Sequence, residues 1–316
     1  MIALLLIPLL LPWALPPLAR GTAERVRPDI ALCAITVAAA ALALGVVACL
    51  GTLLLPLALR LPTLAGMAHL LQPLDAGPAL VAIGASALAA GALAGTVIVG
   101  TRGAAAEVGR LRAAHRQVAG LPQDGGMCVL DDDRPDAFAL PGGLRTGGRI
   151  VVTAGMLRAL DPREREALLG HERAHLTARH HLFLAVARLA GWCHPALAGV
   201  IAIVSFAAER AADEAAALTC GDRRLTARAV GRAALAVSSR PPGRTGPGGP
   251  TLAAGVTTGP VPARVRALLT QAPARRMAPT LMAMTLLCTA SGVSSLAGAV
   301  WLHRGVEIAQ GEHPSD

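Results

Sequence analysis

Four stretches of the chain are apolar over the roughly 20 residues that a bilayer-crossing helix needs: 1–19, 30–59, 79–100 and 277–302, the last ending in Trp301 as an interfacial residue. Between the third and the fourth lies a long segment of mixed pattern, 101–276. Residues 101–120 read as a charged helix leading out of the third apolar stretch. Three strand-like pieces follow, "MCVLDD" (127–132), "DAFALPG" (136–142) and "GRIVVTAG" (148–155), separated by the turn signals "DRP" and "GGLRTGG". The β-branched alternation of "RIVVT" favours a strand there. In "DPREREALLGHERAHL" the period changes to helical, with Leu168, Leu169 and Leu176 on a repeat and a start signature at Asp161 (N-cap), Pro162 (N1) and Glu164 (N3).

A fifth apolar run, 182–208, is interrupted by Arg188, His194 and a helix-breaking Pro195. It reads as two buried helices of the 101–276 segment lying against the membrane; the alternative is a hairpin dipping into the bilayer. Residues 240–262 are rich in Pro and Gly and read as a mobile loop or linker, and "ARVRALL" (263–269) as a short helix returning to the membrane. The expected architecture is an α-helical membrane protein with an α+β domain. It has three transmembrane helices in 1–100, the domain at 101–276, a fourth span at 277–302 and a short tail at 303–316.

Composition strengthens the membrane reading: 53 % of residues are hydrophobic, 16 % are charged, and the mean hydropathy is +0.54. Net charge is +9, with no lysine, so every basic side chain is arginine. A nucleic-acid module would interleave that charge with aromatics, yet Phe, Trp and Tyr make up only 2 % of the chain. Direct nucleic-acid binding is therefore not expected, and anionic lipid headgroups are the expected partners of the arginines. Arginine placement also orients the spans. Arg20, Arg25 and Arg27 follow the first, Arg102, Arg110, Arg112 and Arg116 follow the third, and Arg275 and Arg276 precede the fourth. This pattern predicts a multi-pass protein of a bacterial-type cell membrane, with both termini extracytoplasmic and 101–276 cytoplasmic. The six cysteines form no CxxC pair and read as small apolar residues.

The segment "HERAH" puts His171 and His175 one turn apart on one helix face, where both imidazoles can reach a single Zn²⁺. Glu172 lies about 100° round the helix, badly placed as a ligand but placed to act as a general base on water. A catalytic zinc site takes three protein ligands. In "FAAERAADEAAALTCGD", Glu209 and Asp213 are one turn apart in an alanine-rich, buried-looking helix, and buried carboxylates are costly unless paired or metal-bound. Glu209 is the expected third ligand of one zinc per chain, with Asp213 orienting a ligand imidazole from behind. His180 and His181 are expected outside the ligand set, because His180 is five residues past His175 and off its face.

With these residues in hand, the chain resembles the integral-membrane gluzincin metallopeptidases. The BlaR/MecR-type signalling peptidases are similar in having three spans, a cytoplasmic zinc domain and a fourth span, and in the W-x-[NH]-P pattern seen at Trp192, His194 and Pro195. The HtpX and CAAX-protease-like family is similar in "DAFALPGG" and "RIVVTAGMLRAL", although its members place further spans after the zinc helix. Here 14 residues follow the last span, with no penicillin-binding domain among them. The resemblance implies a zincin-type metallopeptidase domain and zinc-assisted hydrolysis of a protein or peptide. The substrate would be a transcriptional repressor in the first family and membrane proteins under quality control in the second. A metal-stabilised, non-catalytic scaffold or sensor subunit is the third alternative. The resemblance also implies an oxyanion-stabilising side chain, for which His194 and Arg210, or Arg224, are the options in a chain without tyrosine. The BlaR/MecR-type resemblance offers self-cleavage in 240–262 as an alternative to an ordinary linker, which is the favoured reading. Extended peptides can bind by adding a strand to a sheet edge, and the candidate edge is "DAFALPGG" or "RIVVTAG".

Overall fold

The computed structural model describes residues 7–58, 79–143, 147–239, 260–270 and 279–309. Prolines at 8, 12, 16 and 17 divide the first apolar stretch. Its described part contains a 3-10 turn over Leu11–Ala14 and then α1 (Leu15–Arg25), with proline in the first turn of each, where the missing N–H is not needed. Two long helices follow, α2 (Pro28–Ala58) and α3 (Ala79–Val118). The sheet comprises β1 (Met127–Leu130), β2 (Ala137–Leu140) and β3 (Arg149–Thr153). Helices α4 (Ala154–Ala159), α5 (Pro162–Thr177), α6 (His180–Cys193), α7 (Pro195–Ala198), α8 (Val200–Cys220) and α9 (Arg223–Ser238) come next, then α10 (Val261–Leu269) and α11 (Pro279–Ala309).

All three expected strands form, each shorter than expected, and the third gives way to a helix. Thr153 ends β3 by accepting a hydrogen bond from Met156 N at 3.2 Å, capping α4, so "AGMLRA" is helical where a strand was expected to run to 155. β3 is central, pairing parallel with β1 and antiparallel with β2. This explains the unbroken "IVV": Ile150 and Val152 face a core with Leu168 and Ala233, whereas Val151 packs with Phe138, Ala114 and Val118. The sheet thus lies between the end of α3 on one side and α5 with α9 on the other. Of the two expected substrate edges, "DAFAL" is an edge and "RIVVT" is not, because β3 has strands on both sides.

Helical stretches long and apolar enough to cross a membrane are Pro28–Leu54, Ile83–Val118 and Pro195–Cys220, with a shorter apolar helix at Pro279–Ser294. α2 and α3 pack antiparallel: Ser86 Oγ donates to Leu53 O at 2.7 Å, and Val46, Leu50 and Ala89 share a cluster with Leu93. At 1.5 Å per residue α2 is about 46 Å long, well beyond the roughly 30 Å of a hydrocarbon core. Much of its length is buried in protein. Its Ala31, Ile35, Ala39 and Leu42 share one core with Ala19 of α1, Leu184 and Ala187 of α6, Val204 and Ala208 of α8 and Met284 of α11.

The fifth apolar run, 182–208, is therefore a broken helical hairpin, α6–α7–α8, with His194 and Pro195 at the break. It packs on α1 and α2. Trp192 lies against Gly100 and Gly103 of α3, and a side chain at Gly103 would collide with the indole. Four residues back, Arg188 pairs with Glu107 of α3 at 3.2 Å. α10 does not head for the membrane as expected; it packs on α8 and α9 through Val265 and Leu268. The linker at 240–259 lies outside the described residues. The six cysteines are all free.

Candidate metal centre

The site begins with the start of α5. Asp161 Oδ1 accepts from Glu164 N at 2.9 Å and Glu164 Oε2 accepts from Asp161 N at 3.1 Å, a reciprocal capping box with proline in the first turn. Glu164 also receives Arg232 of α9 at 2.7 Å. The helix so anchored carries His171 and His175 on its buried face, each 2 % exposed, with their Nε2 atoms 3.1 Å apart. α8 crosses that face closely because its contact residues are small. Ala212 and Ala216 are fully buried, and the space over Gly170 ends at Ala216. That approach delivers Glu209, whose Oε2 and Oε1 lie 3.4 Å from the Nε2 atoms of His171 and His175, respectively. Ligands at about 2.0–2.1 Å from a tetrahedral zinc stand about 3.3 Å from one another. The contacts here are 3.1, 3.4 and 3.4 Å, the two to Glu209 being made by its different oxygens, and one atom from each residue lies within 4.8 Å of the others. One imidazole pair and one carboxylate is also a donor set suited to zinc.

Two of the three residues of this group are held from behind. Asp213 Oδ1 lies 3.0 Å from His171 Nδ1, the carboxylate–histidine arrangement expected from the sequence. Arg264, fully buried on α10, places Nη1 2.8 Å from Glu209 Oε2. It donates from Nη2 and Nε to both oxygens of Asp213 at 2.7 and 2.8 Å. No local signal in the sequence pointed to Arg264, since it stands 51 residues beyond Asp213 in an ordinary arginine-rich helix.

Glu172 is fully buried and neither of its carboxylate oxygens has a hydrogen-bond partner among the described residues. Burial, with further pushes from Glu209 and Asp136 against the pull of His171 and Arg264, raises its pKa to about 8. Orphaned buried carboxylates are expensive unless paired or metal-bound. Burial opposes charge on His171, but Asp213 and Glu209 outweigh it and raise its pKa to about 10. His175 is pushed well down by burial and by that neighbouring charge.

The structure brings together His171, Glu172, His175, Glu209 and Asp213. It leaves His194 and Arg210 elsewhere. His194 caps α7, accepting from Ala196 N at 3.2 Å, and its ring meets Trp13 edge-on. Arg210 donates to Ala23 O of α1 and lies over the Phe206 ring. One turn of α8 points Glu209 and Asp213 at α5, and the residue between them in register points at α1 instead. Arg224 is exposed at the start of α9.

Residues 105–193 match the model of Peptidase family M48. The matched region runs from the end of α3 through the sheet and α5 to the end of α6. Among known proteins, the "Protease HtpX homolog" of Thermoplasma acidophilum is 47 % identical to this chain over 51 residues. That alignment covers 16 % of each chain, so this chain spans about one sixth of the length of that relative. No solved structure matches. Of the two families the sequence resembles, these matches fall with the HtpX-like one, and neither lends support to the BlaR/MecR-type one.

Proposed function

We propose that the chain is an integral-membrane, zinc-dependent endopeptidase of the HtpX-like kind, acting on segments of membrane proteins close to the bilayer. The observation that carries the reading is a buried, unpartnered Glu172 beside a buried group, His171, His175 and Glu209, that can converge on one metal ion. Zinc held by His171, His175 and Glu209 would supply Lewis acidity to a water and to a scissile carbonyl. Glu172 then takes the proton of the attacking water and hands it to the leaving amine. A purely structural metal has no use for that base, which speaks against the scaffold reading.

The apolar hairpin α6–α8 stands between the HERAH helix and the third ligand, where HtpX-like enzymes carry further spans. Trp192 is level with Gly100 and Gly103, at the expected end of the third span, so the hairpin tip reaches the expected bilayer boundary. Glu209 lies nine residues beyond Val200 along α8, about 14 Å from that tip. A site so near the membrane suits juxtamembrane substrate. Positive-inside loops make that side the cytoplasm. Signalling by cleavage of a repressor stays as the second reading, favoured by the apolar segments that flank the domain on both sides.

Zinc content and cleavage of a membrane-tethered reporter by the purified chain test the proposal. Glu172→Gln should keep one zinc and lose activity by about 10²–10⁴-fold. Full activity in that variant would remove the mechanism, and a wild-type protein that takes up no zinc would remove the site.

A further inference from the structure

His180 does not sit where a continuous helix would put it. On an unbroken α5 it would lie about 140° round from His175. Instead α5 ends at Ala178, and Arg179 adopts the left-handed conformation (φ 52°, ψ 43°), alone in positive φ among the described non-glycine residues. That turn starts α6 at His180 and folds its ring back under the zinc helix. His180 is 2 % exposed, its Nδ1 is 2.8 Å from His175 Nδ1, and the rings meet edge-to-face with centroids 4.7 Å apart.

We infer that His180 is the positioning residue for His175: its neutral Nδ1 accepts the Nδ1–H of His175, which holds His175 in the tautomer whose Nε2 lone pair faces the metal. The inference rests on the zinc site proposed above. Two nitrogens at 2.8 Å require one donor and one acceptor. His175 Nε2 is turned to His171 and Glu209, so its proton belongs on Nδ1 and His180 Nδ1 is the acceptor. Ligand histidines usually donate this second N–H to a carboxylate, a carbonyl or water, as His171 faces Asp213 here. A neutral acceptor at His180 has a reason in the charge balance. The buried carboxylates Glu172, Glu209 and Asp213 are matched by the two charges of zinc and the one of Arg264. A further buried carboxylate behind His175 would leave an unpaired charge.

The inference is tested in the full-length protein in detergent by comparing His180→Ala with His180→Asn, whose side-chain oxygen falls near the Nδ1 position. Three quantities are measured: zinc Kd by chelator competition, the visible spectrum of the cobalt-loaded protein, and the melting temperature of the metal-free protein. His180→Ala should bind zinc about 10–100-fold more weakly and show an altered cobalt spectrum. His180→Asn should stay within about threefold of wild type, with the wild-type spectrum, since it restores the acceptor. A merely structural His180 would lower the metal-free melting temperature and leave Kd and spectrum alone. That pattern, or equal loss of affinity in both variants, overturns the inference. Failure of the wild-type protein to bind zinc overturns the site reading beneath it.

Discussion

Among single residues, Arg264 has the largest expected effect on stability. Its guanidinium is the fixed cation between Glu209 and Asp213, and removing one partner of a buried ion network costs about 3–5 kcal/mol. Arg264→Ala should lower the stability of the metal-free protein by an amount in that range. The loss should be smaller when zinc is bound, because the metal supplies charge to Glu209. Arg264→Lys should recover only part, since an ammonium cannot reproduce the two-pronged contact with Asp213. Unfolding followed with and without zinc checks both statements, and an Arg264→Ala protein as stable as wild type would refute them. The residues of HERAH were legible because their spacing is local. Arg264 was not, because its partners are 51 and 55 positions away and nothing in "ARVRALL" separates it from Arg266.

At the scale of elements, the break between α5 and α6 decides what His180 can touch. Arg179 occupies the position after a helix end where glycine is usual, and a non-glycine residue there carries a steric cost of about 1–2 kcal/mol. Arg179→Gly should therefore be tolerated and raise stability by about 1 kcal/mol while leaving zinc affinity unchanged. A drop in melting temperature would show that the Arg179 side chain holds the turn by contacts of its own. The expectation that His180 lies off the ligand face followed from helical periodicity alone. His180 does stay outside the metal-capable group, but its contact with His175 Nδ1 could not be read from periodicity, which holds only while the helix continues. "LTARHH" contains neither glycine nor proline to announce the stop. Similarly, "RIVVTAG" has strand character up to Thr153, and only the cap on Met156 N turns the remainder into helix.

For the whole molecule, metal and proton compete for one place, and this gives a pH dependence with a definite sign. The folded pKa of His171 is raised to about 10, so the stability it confers on the metal-free protein is complete below about 6.5 and is lost as pH rises through about 10. The carboxyl of Glu172, raised to about 8, likewise favours the folded state only while protonated, with the loss spread from about 4.5 to 8. Both act in one direction, whereas His175 and His180, whose pKa values burial lowers, act the other way below about 6.5, so the metal-free protein should weaken as pH rises from about 7 to 10. Zinc binding displaces the proton of His171, and apparent zinc affinity should rise about tenfold per pH unit over 7 to 9. Zinc Kd and melting temperatures taken at each pH check this: the gap between zinc-bound and metal-free melting should widen with pH, and a constant gap would count against it.

From sequence alone came the apolar segments, the three strands, the capped helix beneath HERAH, and four of the residues that meet at the site besides Glu172. All of these are written in short-range patterns: hydropathy runs, period, cap spacing and residues one turn apart. Tertiary structure alone decided that 182–208 folds as a hairpin against α1 and α2, that β2 and not β3 lies at the edge, that Arg264 meets Glu209 and His180 meets His175, and that His194 and Arg210 face elsewhere. Those outcomes depend on which helix faces meet across tens of residues and on where a helix stops. Periodicity names the face a residue lies on; it does not name what packs against that face.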